Sequence, residues 1–139
     1  MNTPSLRARA SYVLVAVALL LIEVAIAAGW IGGAWVRGSL GDVLAVALVY
    51  CGLRGVFGCP PRWACLLAIG IGCAIEGLQA IHLADRLGLR PGGAASIALG
   101  NTATLHDVLM YAIGGVMSFG CDALLRPRRH ATPAAPLVD

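Results

Sequence analysis

The chain is expected to be all-α, a polytopic membrane bundle of four transmembrane helices. Hydrophobic residues make up 59% of the 139 residues and charged residues only 12%, where soluble domains run at about a quarter charged. The mean hydropathy is +0.84. Four apolar runs, each near the ~20 residues that a bilayer crossing takes, alternate with stretches that carry Gly, Pro and Arg. At this length there is room for one domain and a few spans, with no separate soluble domain.

Residues 1–10 form a polar N-terminal segment with Arg7 and Arg9. The first helix is expected over 11–36, interrupted only by Glu23. Ala25-Ile26-Ala27 mimics a signal-peptide cleavage site. The apolar run nevertheless continues to Val36, beyond the ~7–15 residues of a signal peptide's core, so it reads as a span. Gly29 and Gly33 form a GxxxG pair suited to close helix approach. Arg37 to Gly41 makes a turn into the second helix, 40–57, with Ser39 or Asp42 as its cap. Arg54, near the end of that helix, is placed to snorkel to the interface. Gly58-Cys59-Pro60-Pro61-Arg62 makes the next turn, because paired prolines stop a helix. The third helix is expected over 63–84. Residues 85–103 form a long connection, a loop or a re-entrant segment. Thr104 caps the fourth helix, 105–125, which completes a transmembrane domain over 11–125. The Arg-, Pro- and Ala-rich tail, 126–139, is expected to be disordered and cytoplasmic.

All ten basic residues are Arg, and with abundant Ala and Gly this points to a GC-rich bacterial genome and a bacterial inner membrane. No basic run is interleaved with aromatics, so nucleic acid is not an expected partner. The five cysteines, Cys51, Cys59, Cys65, Cys73 and Cys121, fit no zinc spacing and read as small packing residues without disulfides. No P-loop, GxGxxG or G-x-S-x-G motif is present. No catalytic residue, cofactor or metal is assigned, and an enzyme is not the favoured class. Orientation follows from the arginines. With both ends cytoplasmic, six (Arg7, Arg9, Arg62, Arg126, Arg128, Arg129) face three outside (Arg37, Arg86, Arg90).

The chemistry-bearing residues then fall mostly at one end. Glu76, Gln79 and His82 recur every three residues and cover a helical sector of roughly 120°. Ionisable groups in lipid cost at least ~2.5–3.5 kcal/mol each on insertion scales, so they seldom sit there without a partner or a task. Asp42 on the second helix, and His106, Asp107 and Tyr111 on the fourth, are expected at the same extracytoplasmic end. On the fourth helix Asp107, Tyr111, Gly114, Ser118 and Asp122 share a sector of roughly 80° that should pack inward. Glu23 points into this interior or pairs with Arg54 across the bundle. Glu76 and Asp107, at one depth, call for a cation or a shared proton. Arg90 or Arg86, folding back as a lid, would supply the cation.

Carboxylates, an amide and loop arginines suit a hydroxyl-rich or phosphate-bearing envelope ligand or a lipid head group. The alternatives are a purely structural polar network (Asp42, Arg54, Glu76, Gln79, Arg90, Asp107, Tyr111) in a membrane assembly subunit, or a small proton-coupled carrier using Glu23, Glu76 and Asp107, which would need to form a homo-oligomer. His82, His106, Glu76 and Asp107 lack the local spacing of a metal motif.

Gly41-Asp42-Val43-Leu44 with Tyr50 and Arg54, Glu76-x-x-Gln79, Arg90, Leu99-Gly100, and Asp107-Val108-Leu109-x-Tyr111-x-x-Gly114 resemble the pattern of small bacterial membrane proteins grouped as domain of unknown function 2809. The E-x-x-Q followed by a loop Arg and a helix-initial Asp is also similar to the VanZ-like family, linked to glycopeptide tolerance. The resemblance covers about residues 10–125. It implies a four-helix integral membrane protein and no established activity.

Overall fold

The computed structural model describes residues 5–81, 86–88 and 104–125. Every regular element among these residues is helical, and four helices are long and apolar enough to cross a membrane. Helix α1 runs Leu6–Ala27, α2 Gly41–Gly55, α3 Pro61–Ala80 and α4 Leu105–Leu125. A π-helical turn, Val36–Leu40, leads straight into α2, so the second span is Val36–Gly55. His82, Arg90, all but 86–88 of the stretch 85–103 read as re-entrant or as a lid, and the expected disorder of 126–139 fall on residues outside those described.

Helix α1 differs from the expected 11–36 at both ends. It begins earlier because the Ser5 hydroxyl accepts from the Ala8 amide, a side-chain cap that releases the first turn from needing apolar residues. Arg9 then fastens that turn. Its Nε donates to the Gly55 carbonyl at 2.9 Å and a terminal nitrogen donates to the Val56 carbonyl, satisfying unpaired groups at the C-terminus of α2. The helix ends at Ala27 because the next residues turn left-handed, Gly29 at φ +75° and Gly32 at φ +80°, a conformation that glycine adopts without steric cost. The Gly29/Gly33 pair therefore lies beyond the helix and is no helix–helix contact motif.

Neither Ser39 nor Asp42 caps the second span, because the π-turn enters α2 with its backbone already helical. Ser39 is buried instead, its hydroxyl 2.8 Å from His106 Nε2 at the start of α4. Pro61 occupies the first turn of α3, where its missing N–H costs nothing. Thr104 does cap α4: its Oγ1 accepts from the Asp107 amide at 3.2 Å.

Helix α2 is the centre of the bundle and packs against α1, α3 and α4. Among the described residues α1 packs on α2 and on the π-turn, and its backbone approaches neither α3 nor α4. The shared core is Val46, Tyr50 and Cys51 of α2, Ala64 and Ala68 of α3, and Tyr111 of α4. Lipid tails are as apolar as these side chains, so close packing rather than expulsion from water holds such helices together. The buried residues of α3 show this: Ala64, Ala68, Gly72 and Glu76 recur every fourth position and make one narrow face of small side chains ending in a carboxylate. At Gly114 the backbones of α4 and α2 touch. A Cβ there would lie 2.7 Å from the Val43 carbonyl oxygen, closer than main chain can yield without moving a helix. All five cysteines are free thiols.

Candidate functional site

Two groups of polar side chains lie at opposite ends of the bundle. The first joins the start of α1 to the ends of α2 and α4. Arg54 and Asp122 are 3% and 5% exposed, and Arg54 Nε sits 3.2 Å from Asp122 Oδ2 without the alignment of a hydrogen bond. Its other nitrogens are aligned: Nη1 donates to the Cys59 carbonyl at 2.7 Å and Nη2 to the Tyr12 hydroxyl at 3.3 Å. The guanidinium carbon also lies 4.9 Å from the centre of the Tyr12 ring, within cation–π range. Asp122 accepts from Tyr12 on Oδ1 and from Tyr50 on Oδ2, the latter at 2.7 Å. The burial of Arg54 excludes snorkelling, and its partner is Asp122, not Glu23. The reason is depth. Arg54 and Asp122 each sit in the last turns of spans that run in the same direction and finish at the same end, whereas Glu23 is near the opposite end of α1.

The second group joins the start of α4 to α3 and α2. Glu76, 5% exposed, accepts from the Tyr111 hydroxyl at 3.0 Å and from the Thr104 amide at 3.1 Å. The Tyr111 ring lies flat against Gly72, where a Cβ would come within 2.8 Å of it; only a glycine there lets the phenol reach Glu76 one turn on. Half-buried Asp42 sits among Asp107, Tyr111 and Glu76, close enough to interact electrostatically with each. The structure thus brings Asp42, Glu76, Asp107 and Tyr111 together from three helices, with His106 alongside at Ser39. It places Arg54 at the other end, away from them. Gln79 is half-buried and does not bond to this group among the described residues.

Gln79 borders a cavity instead. A space of about 610 Å³ opens between α1, α2 and α3, lined by Glu23, Arg37, Asp42, Gln79 and Tyr111 among apolar side chains such as Val49 and Ile75. Glu23 lies over Gly41, and its Oε1 is shut off from solvent with no hydrogen-bond partner among the described residues. Arg37 is exposed, and no ion pair joins it to either carboxylate among the described residues. The π-turn is what sets this rim, because it carries Arg37 and delivers Asp42 to the cavity wall; such turns recur at functional sites. A second space of about 550 Å³, between α1, α2 and α4, is bordered by Tyr12, Tyr50 and Asp122 but otherwise by mostly apolar groups. The polar groups there already bond one another. No three His, Cys, Asp or Glu side chains among the described residues converge to hold a metal ion.

The features not singled out as site residues from sequence are Tyr12, Tyr50, Asp122 and Arg37. A signal for the first three was present: a tyrosine in the first turns of one span, and a tyrosine and an aspartate in the last turns of two others, all near the depth of Arg54. Arg37 carried none, since a turn arginine is ordinarily solvated.

One comparison bears on the whole. A family model described as "Protein of unknown function (DUF2809)" matches residues 31–115, more than half of the 139 residues. The match contains Asp42, Arg54, Glu76, Gln79, Asp107 and Tyr111 and leaves out Glu23, Tyr12 and Asp122. No curated protein and no solved structure matches the chain.

The buried pair yields a prediction. Removing one member, as Arg54→Met or Asp122→Leu, strands a charge and should cost about 3–5 kcal/mol. The double variant should cost no more than the worse single change, since the stranded charge is gone. Unfolding by denaturing detergent, followed by circular dichroism, measures all three. Additive losses would show that the pair is not coupled.

Proposed function

The chain belongs to the DUF2809 family of proteins of unknown function, and on that premise we propose that this integral membrane protein binds a polar head-group-bearing ligand in the cavity between α1, α2 and α3. The observation that carries the reading is the contrast between the two ends. At the Arg54–Asp122 end every charged group has an opposite charge or a hydrogen-bond partner at hand, Arg54 Nε by its ion contact to Asp122 alone, which is the behaviour of a structural network. At the other end, among the described residues, Glu23 Oε1 is buried without a hydrogen-bond partner, beside an Arg37 with no ion pair and a half-buried Gln79 in a 610 Å³ cavity. Buried polar atoms are ordinarily hydrogen-bonded, so a ligand that supplies the missing partners accounts for this end. The volume is within the ~300–1,000 Å³ of small-molecule sites.

In this reading the far-end carboxylates divide the work. Glu76, held by Tyr111 and Thr104, fixes α3 to α4 and shapes the wall, while Glu23, Asp42 and Gln79 face the guest. The arginine asymmetry assigns both chain ends to the cytoplasm and the cavity to the outer half of the membrane. A reporter fused after Asp139 should be active only if it is a cytoplasmic type; activity of a periplasmic type would reverse the orientation.

The binding reading and a structural one separate on stability. Glu23 and Gln79 make no protein hydrogen bond among the described residues, so Glu23→Leu with Gln79→Leu should leave unfolding in plain detergent unchanged or slightly raised. Saturating polar lipid extract should raise the midpoint of the parent protein by several degrees, as expected for a ligand near a hundred times its Kd, worth about 2.7 kcal/mol, and should not raise that of the variant. A variant destabilised in plain detergent and stabilised by lipid like the parent would make these residues packing contacts.

A further inference from the structure

We propose that the guest is a phospholipid carrying both a primary ammonium and a phosphate, its ammonium held between Glu23 and Asp42 and its phosphate at Arg37. This rests on the reading of the cavity as a ligand site and names the class of ligand.

The polar lining is dominated by acceptors. Glu23 and Asp42 are carboxyl groups, and Gln79 offers a carbonyl beside its two N–H donors. The Tyr111 hydroxyl is already committed to Glu76. The guest must therefore bring donors to the inner wall, and a primary ammonium brings three in a compact group. An anionic head group with no amine would meet two carboxyl groups. A trimethylated ammonium would have no N–H for Glu23 Oε1. At the rim the demand is reversed. Arg37 is exposed and free of an ion pair among the described residues, and its planar fork matches a phosphate.

Position makes the guest a lipid rather than a free solute. The cavity lies where α1 and α3 do not meet, so it opens sideways between two spans toward the hydrocarbon. Its remaining walls, Val24, Val49, Ile71 and Ile75 among them, are suited to acyl chain. A space of 610 Å³ takes a head group and the beginning of its chains, the rest lying along the exposed apolar face of α1, where Leu20, Leu21 and Val24 point outward.

Native mass spectrometry of the purified full-length protein tests this, with phosphatidylethanolamine, phosphatidylcholine and phosphatidylglycerol of identical chains as probes. The ethanolamine lipid should be retained about tenfold better than either of the others, the equivalent of one charge-assisted hydrogen bond. Glu23→Gln, which preserves shape, should bring the ethanolamine-to-choline ratio close to one. Arg37→Ala should weaken both lipids alike, since both carry the phosphate. If Glu23→Gln does not fold, Asp42→Asn reads the same ratio. Equal retention of all three lipids, lost together in the Glu23→Leu, Gln79→Leu variant, would overturn the amine assignment and leave the binding cavity standing. Preference for the glycerol lipid would overturn it too. Retention unchanged by any of these substitutions would overturn both the ligand class and the cavity as its site.

Discussion

The buried ion pair of Arg54 and Asp122 is the constraint on which the arrangement of this bundle depends. Hydrocarbon offers no water to either charge, so each must find its partners within the protein. Arg54 meets an opposite charge when the end of α4 comes to the end of α2, and Asp122 also takes the phenols of Tyr12 and Tyr50. The pair thereby ties three of the four spans at one end. α1 feels this most, since its backbone leans on α2 and the π-turn alone; the Tyr12 contact to Asp122 and the Arg9 contacts to the carbonyls of Gly55 and Val56 hold its first turns in place.

At the other end the same logic gives a different outcome. Glu76 is answered by Tyr111 and Thr104, which closes the seam between α3 and α4. Nothing equivalent closes the gap between α1 and α3. Small residues bring α3 and α4 close to each other and to α2, with Ala64, Ala68 and Gly72 on one side and Gly114 on the other. α1 has no glycine stripe facing α3 and stays apart. The cavity follows from that difference in packing, and Glu23, facing it from α1, has no hydrogen-bond partner for its buried oxygen among the described residues.

The four spans could be read from hydropathy and length, because a bilayer imposes both. So could the inward stripe of α4, since side chains four residues apart share a face: Tyr111, Gly114 and Asp122 are buried. Helix ends were less legible. Hydropathy cannot see that Gly29 and Gly32 turn left-handed, and so it carries α1 nine residues too far; it also cannot see the π-turn, whose Arg37, Gly38 and Ser39 read as a break between two helices. The gathering of Asp42, Glu76, Asp107 and Tyr111 at one end follows from topology alone. The pairing of Arg54 with Asp122 was equally within reach, but an arginine near a helix end looks like a snorkelling one until its neighbour is known. What no pattern could give was the open side of α1, because a cavity is a property of how three faces fail to meet.

The central claim is that one end of the bundle is closed by its own side chains and the other is completed by a guest. An experimental map of the protein in a nanodisc of polar lipids tests it most directly. The account predicts that Arg54, Asp122, Tyr12 and Tyr50 keep their contacts with one another, with ordered non-protein density in the other cavity touching Glu23. A cavity closed by α1 moving onto α3, with Glu23 bonded to Arg37 or another protein group, would contradict it.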